Sequence, residues 1–295
     1  MVCGGQPVSH GRSGQPRPVC ASGRRRGTEL VASVLAIIGL MTSCTVGDEG
    51  KARVNLDTDR GDSASSLDPA RLTARPARPA KRGGVGLHVL ERGTRTPTHL
   101  FVPTGYSPGR PAPLLLALHG AGGNGGRIIH PLREFAREIG ALLLAPKSAG
   151  SSWDLMRRGF GPDVRAIDSA LGYVFNRFAI DPERVAIYGF SDGASYALSL
   201  GIANGDLFES VVALSPGGVS PGTPHGRPRI FITHGAKDAA LPIEATSALI
   251  VPRLRDAGYQ VTFRRHPGAH EIGPGLDAAL TWLADEWGRL PLSSP

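Results

Sequence analysis

The stretch "VAIYGFSDGASYALSLG", Val185 to Gly201, decides the architecture. Val185, Ile187, Tyr188 and Phe190 read as a buried strand, because β-branched and aromatic residues suit a pleated surface. Ser191 then sits between Gly189 and Gly193, and small residues follow at helical spacing through Ala194, Ala197 and Gly201. Asp181-Pro182 breaks the chain just ahead of the strand. A strand that turns through glycines into a helix is the repeating unit of an α/β sheet.

Working outward, the same alternation runs from Val85 to the end of the chain. Strands are predicted at "GLHVL", "HLFVP", "PLLLALHG", "ALLLAPK", "RVAIYGF", "SVVALSPG", "RIFITHG" and "VTFRRHPG". The unbroken runs "LLLAL" and "VVAL" suit strands covered on both faces. Helices are predicted over Ile128–Ile139, Asp163–Phe178, Ala194–Asn204, Glu244–Ala257 and Leu276–Trp287. In the second of these, Val164, Ile167, Leu171, Val174 and Phe178 recur at steps of three and four. The fold class is α/β: one mostly parallel, doubly wound sheet with helices on both faces, spanning residues 85–292. Ligands of such sheets lie beyond the carboxyl ends of the strands.

Chemistry-bearing residues fall at those ends. "GFSDG", Gly189 to Gly193, fits G-x-S-x-G in its strand-turn-helix setting, where a sharp turn lifts the serine above the sheet. The positions two before and two after Ser191 must be small, because strand and helix cross there. A plain turn would account for the glycines alone; further residues argue for a nucleophile. "LLLALHGAGGNGG" places His119-Gly120-Ala121 after a buried strand, in a loop whose N–H groups can approach a substrate oxygen. The backbone N–H groups of Ala121 and Asp192 are the predicted oxyanion hole. Asp238 follows the strand "RIFITHG", and His270 follows "VTFRRH". Ser191, Asp238 and His270 are therefore the predicted triad. A neutral imidazole takes the serine proton, and a carboxylate fixes its tautomer. His266, at the end of its strand, is the rival base. His119, His234 and His225 read as structural or solvated.

The front of the chain has a different design. Arg24-Arg25-Arg26 precede the apolar run "LVASVLAIIGLM", Leu30 to Met41, and then "TSC". A basic patch, a short apolar run and small residues read as a secretory signal over residues 1–44. The run is too short for a bilayer span, which needs roughly 20 apolar residues. The ending "MTSC" resembles a bacterial lipoprotein signal, which makes Cys44 the predicted lipid-bearing residue; the alternative is a cleaved signal with an incidental cysteine. The cysteines are Cys3, Cys20 and Cys44, so no disulfide or thiolate metal site can form after residue 44. Residues 45–84, rich in Asp, Arg, Ala, Pro and Ser without apolar periodicity, read as a flexible linker.

Charge excludes one class of partner. Five arginines against Glu29 in residues 1–43, and eight Lys/Arg against six Asp/Glu in 45–84, leave only +2 of the net +8 for the domain. The basicity belongs to the front, which argues against nucleic acid as a partner.

"LHGAGGNG", "APKSAGSSWD", "DPERVAIYGFSDGA", "HGAKDAALP" and "GAHEI" together resemble the α/β-hydrolases, in particular the carboxylesterase, phospholipase and polyhydroxybutyrate-depolymerase-like serine esterases. The resemblance covers roughly residues 85–290. It implies a carboxylic ester hydrolase working through an acyl-enzyme on a small-molecule ester; no metal-ligand cluster and no G-x-G-x-x-G after a strand is read in the sequence, so no cofactor and no metal are expected. The resemblance also places Trp153 in the substrate pocket, with a core tryptophan as the alternative. The domain lacks the cysteines that secreted depolymerases use for disulfides, and no polymer-binding domain accompanies it. Only Pro216 to Pro228 separates "SVVALS" from "RIFITHG", too short for a helical cap domain. The expectation is an exported serine esterase for short-acyl soluble esters, anchored on the outer membrane face through Cys44 or otherwise secreted. A peptidase or acyltransferase on the same fold, and a non-catalytic binding protein, are the alternatives. The sequence does not specify the oligomeric state.

Overall fold

The computed structural model of the 295-residue chain describes residues 68–90 and 97–288. The signal segment, Cys44 and the linker up to residue 67 lie outside them. Eight strands form one sheet: β1 (Gly86–Leu90), β2 (Thr98–Val102), β3 (Ala112–Leu118), β4 (Leu142–Ala145), β5 (Ile180–Phe190), β6 (Ser210–Leu214), β7 (Arg229–Gly235) and β8 (Val261–His266). Their spatial order is β1-β2-β4-β3-β5-β6-β7-β8. β1 and β2 are antiparallel at one edge, β2 meets β4 antiparallel, and all remaining pairs are parallel. All eight strands anticipated from the apolar runs are present.

The helices are α1 (Gly125–Ile129), α2 (Arg133–Ile139), α3 (Leu155–Arg158), α4 (Pro162–Arg177), α5 (Asp192–Ala203), α6 (Ser247–Asp256) and α7 (Gly273–Glu286). The predicted helix over 128–139 is divided. Pro131 falls in a 3-10 turn, His130–Leu132, between α1 and α2, as a residue without an N–H must. Short α3 was not anticipated; four residues carry no readable period.

The period-2 geometry of β3 sorts the core. Leu114, Leu116 and Leu118 face α4, α5 and α6 on one side, packing with Val164, Ile167, Leu171 and Leu254. Leu115 and Ala117 face the other side with Phe135, Ala279, Leu283 and Trp287 of α2, α7 and its C-terminal end. Each fully buried leucine contributes about 1.5–3 kcal/mol. These two layers hold the central strands rigidly, and the carboxyl ends of β5, β7 and β8 emerge together.

Residues 68–84, read above as the end of a flexible linker, are instead a strap fastened to the domain. Ala70 and Leu72 are buried. Leu72 N–H donates to Asn204 Oδ1 (2.8 Å), and Asn204 Nδ2 donates to Ala70 O (2.8 Å). The Asp168 carboxylate accepts from the N–H groups of Thr73 and Ala74. Arg71 and Arg75 pair with Asp206 at 2.8 and 2.6 Å. The linker reading fails here because the partners are 94 to 135 residues away and polar, so no local apolar period announces them.

The connection between β6 and β7 contains no helix, as its length required. It lies along α5: Gly217 N–H donates to Ser195 Oγ (2.9 Å), Ser220 N–H to Ser199 Oγ (2.9 Å) and His225 N–H to Ile202 O (3.1 Å).

Candidate active site

β5 delivers Ser191 to α5 through a backbone turn at φ 57° and ψ −122°, a conformation that non-glycine residues seldom adopt. The turn closes because its flanks have no side chains. A Cβ on Gly189 would lie 2.0 Å from Gly193 O, and one on Gly193 would lie 2.3 Å from Leu118 O. The crossing of strand and helix thus requires both glycines. Every residue of α5 is buried, which holds the strained turn in place.

The structure brings the three residues named from strand order within hydrogen-bond distance of one another. His270 Nε2 stands 2.9 Å from Ser191 Oγ, and His270 Nδ1 stands 2.7 Å from Asp238 Oδ2. A carboxylate oxygen only accepts, so Nδ1 carries the proton and Nε2 is left to accept from the serine hydroxyl. Asp238 Oδ1 is filled by the N–H groups of Ala240 (3.0 Å) and Leu241 (2.8 Å). Burial by itself would raise the Asp238 carboxyl, but hydrogen bonds from His234, His270 and Leu241 hold it below the usual carboxylate range. The imidazole of His270 packs against Phe190, ring centroids 5.0 Å apart. The rival, His266, is occupied elsewhere: its Nδ1 accepts from Gly268 N–H at 3.2 Å.

Behind Asp238 lies a second histidine, fully buried. His234 Nε2 is 2.8 Å from Leu241 O and 3.2 Å from Asp238 Oδ2, while Nδ1 is 2.7 Å from Ser247 Oγ.

The loop after β3 is tied down from several sides. Ser148 N–H donates to His119 Nε2 (3.1 Å), so Nδ1 carries the proton and donates to Gly120 O (2.8 Å). Burial lowers the His119 pKa to about 4; the Gly120 bond opposes this and Lys147 adds to it, leaving a neutral ring. Gly122 N–H donates to Ser151 O (2.7 Å), and Gly123 N–H to Gly120 O (3.0 Å). Among the described residues, the N–H groups of Ala121 and Asp192 have no backbone acceptor in these turns.

Trp153 departs from the pocket position that the resemblance implied. It is 1% exposed, and its Nε1 donates to His119 O (2.8 Å). Its ring stacks between His119 and Tyr196, with centroids 4.9 and 5.1 Å away. The indole supports the loop after β3 from beneath and offers no face to a ligand. Three carboxylates that sequence reasoning did not anticipate as side-chain partners tie the neighbouring segments together. Asp154 and Asp163 each accept the other's backbone N–H, at 2.7 and 2.8 Å, and Tyr196 donates its hydroxyl to Asp154 (3.0 Å). The Asp192 carboxyl is raised by burial and accepts from Ser152 Oγ. Ser152 also lines a cleft of about 420 Å³ with Ala149, Arg157, Phe160 and Asp163. A larger groove of about 550 Å³ runs between α2 and α7 and touches no triad residue. The smaller cleft is likewise not lined by Ser191, Asp238 or His270, and it connects to the Ser191 turn only through the Ser152 hydroxyl, which donates to the Asp192 carboxylate.

An eight-stranded, mostly parallel sheet with Ser191 at a strand-to-helix turn after the fifth strand, and with Asp238 and His270 beyond later strand ends, is the α/β-hydrolase fold. No protein-family model matches the chain. The probable feruloyl esterase C of Aspergillus oryzae is similar, at 30% identity over 178 residues, which cover 57% of this chain and 64% of that protein. The chain thus spans just under two thirds of this relative. Among solved structures, an S-formylglutathione hydrolase from Staphylococcus aureus overlays with a TM-score of 0.56 at 15% identity, covering 68% of this chain and 99% of that one. An acetyl xylan esterase from Aspergillus awamori overlays at 0.53 and 15% identity, again covering 68% and 99%. At these identities the overlays speak for the fold.

Proposed function

We propose that the protein is a serine hydrolase of carboxylic esters, acting through an acyl-enzyme on Ser191. The observation that carries this is the unbroken hydrogen-bonded line Ser191–His270–Asp238 on three strand ends. Ser191 Oγ attacks the ester carbonyl carbon while its proton passes to His270 Nε2. The oxyanion that forms is held by the N–H groups of Ala121 and Asp192, aided by the N-terminus of α5. Collapse expels the alcohol, which takes the proton from Nε2 and leaves the acyl group on Ser191. Water then attacks the acyl carbon, gives its proton to Nε2, and Ser191 leaves with that proton as the acid departs. Asp238 keeps His270 in the competent tautomer and balances the imidazolium.

The substrate reading is a short-acyl, water-soluble ester. The connection after β6 is laid along α5 rather than over Ser191, so among the described residues it supplies no cap to enclose a long chain. Each further buried CH₂ adds about 0.8 kcal/mol only while apolar surface covers it. A second reading, esters of aromatic acids, is favoured by the name of the Aspergillus oryzae relative. The enzyme acts outside the cytoplasm in this proposal, delivered by the basic and apolar segment before residue 42. Cys44 carries the lipid.

Fluorophosphonate labelling at Ser191 tests the class, since an inert serine is not labelled. kcat/KM across 4-nitrophenyl esters of rising chain length, with methyl ferulate alongside, tests the substrate. A rate still climbing at long chains would sink the short-acyl reading. Cys44→Ser, expressed in a bacterial host, should move the protein from membrane to soluble fraction; unchanged partitioning would sink the anchor.

A further inference from the structure

We infer that His234, with Ser247 behind it, is a positioning residue for the reaction: it clamps the turn that carries Asp238 and aims Oδ2 at His270. The inference rests on the triad reading above and extends it inward by two residues.

Chemistry assigns the protons. Leu241 O can only accept, so the His234 proton sits on Nε2, pointing between Leu241 O at 2.8 Å and Asp238 Oδ2 at 3.2 Å. His234 Nδ1 is then an acceptor, and the Ser247 hydroxyl donates to it at 2.7 Å. The Leu241 peptide is gripped on both sides: its N–H goes to Asp238 Oδ1 and its carbonyl accepts from His234. One histidine therefore fixes the turn and supplies the second donor facing the oxygen that His270 uses.

His119 shows what a merely structural histidine looks like in this fold. Both of its nitrogens are satisfied by backbone, at Gly120 O and Ser148 N–H. His234 differs in reaching the acid itself, from a side chain with no exposure at all. An apolar residue there would strand Leu241 O and remove a donor from a buried carboxylate, with no water to replace it. β7 supplies His234 and α6 supplies Ser247, so the device spans two elements that the sequence places 13 residues apart.

The test uses the full chain with His234→Gln, His234→Leu and Ser247→Ala, reading kcat and KM on 4-nitrophenyl acetate beside a thermal melt. Glutamine keeps a donor near Leu241 O and Oδ2, and leucine keeps only the volume. His234→Leu should lose about ten- to hundredfold in kcat, with KM held within about twofold, the size expected for a misaimed group. His234→Gln should recover most of that loss, and Ser247→Ala should lose about threefold. In an Asp238→Ala background, neither His234→Leu nor Ser247→Ala should lower kcat further, because the group they position is gone. Equal kcat in the leucine and glutamine variants, or losses that add fully to Asp238→Ala, would overturn the inference. If His234→Leu does not fold, Ser247→Ala at wild-type kcat overturns it instead. Absence of fluorophosphonate labelling in the unmodified protein would sink the triad reading, a different failure.

Discussion

Asp206 and Asp238 stand in two regions that use a carboxylate in opposite ways. Both are held below the ordinary carboxylate range. At Asp206 the cause is hydrogen bonding from Arg71 first, opposed by partial burial, with Arg75 adding to it. At Asp238 burial opposes the shift and is outweighed by directional donors, the His234 and His270 side chains and the Leu241 N–H, with the charge of His270 adding to them. Asp206 fastens the strap at the rim, with its side chain 38% exposed, while Asp238 has none of its side chain exposed. Two full charges in water can slide past each other at little cost. A buried carboxylate met by directional donors has one orientation, and an orientation is what His270 needs. The lesson is that a depressed carboxyl marks strong pairing in both places, and only the buried, directional kind fixes an orientation.

The comparison breaks most decisively at Asp238. Asp238→Asn should lower kcat by about 10⁴-fold, because an amide stabilises the wrong histidine tautomer. Steady-state kinetics measure this, and a loss below tenfold would remove Asp238 from its role. Second in size is Leu72→Ala in the strap, a fully buried leucine whose truncation should cost about 2–4 kcal/mol. A melt lowered by roughly 5–10 °C with unchanged kcat is the expected outcome for a domain of this size. The strap crosses the Asn204 end of α5, and twelve helical residues put it about 18 Å from Ser191. Third, Asp206→Asn should cost only about 1 kcal/mol, since solvent screens the pair, and kcat should stay within about twofold.

Acid sharpens the contrast further. A carboxyl depressed in the folded state stabilises above its unfolded value of about 3.9, and that contribution fades as pH falls through the folded value. The strap should therefore hold at neutral pH and loosen only below about pH 4. Limited proteolysis between residues 68 and 84 as pH is lowered measures it. Cleavage already rising between pH 7 and 5 would show that Asp206 does not hold the strap.

The same two regions mark what was legible in the sequence. Ser191, Asp238 and His270 could be drawn together from the sequence because each lies in a turn or loop beyond a strand, and chain order brings those strand ends to one sheet edge. The strap could not be read. In "DPARLTARPARPAKRGG" a single leucine is buried among arginines and prolines, and its hydrogen bonds go to residues near Asp168 and Asn204. Trp153 was placed near the site correctly but turned the wrong way, because position along a chain does not say which side of a loop an indole faces. His234 was visible as a histidine beside the acid. Its contact with Leu241 O, made by the fold of the turn, was not.

Ser191 holds its nucleophile in a conformation that favours glycine, so the working enzyme is not the most durable version of its own fold. Replacing Ser191 by glycine removes the Cβ that resists φ 57° and ψ −122°, a relief of about 1–3 kcal/mol set against glycine's greater freedom when unfolded, roughly 0.5–1 kcal/mol. The dead variant should melt at a higher temperature than the live one. Selection for endurance alone would therefore favour glycine at this position, so a serine there is a choice that stability does not make.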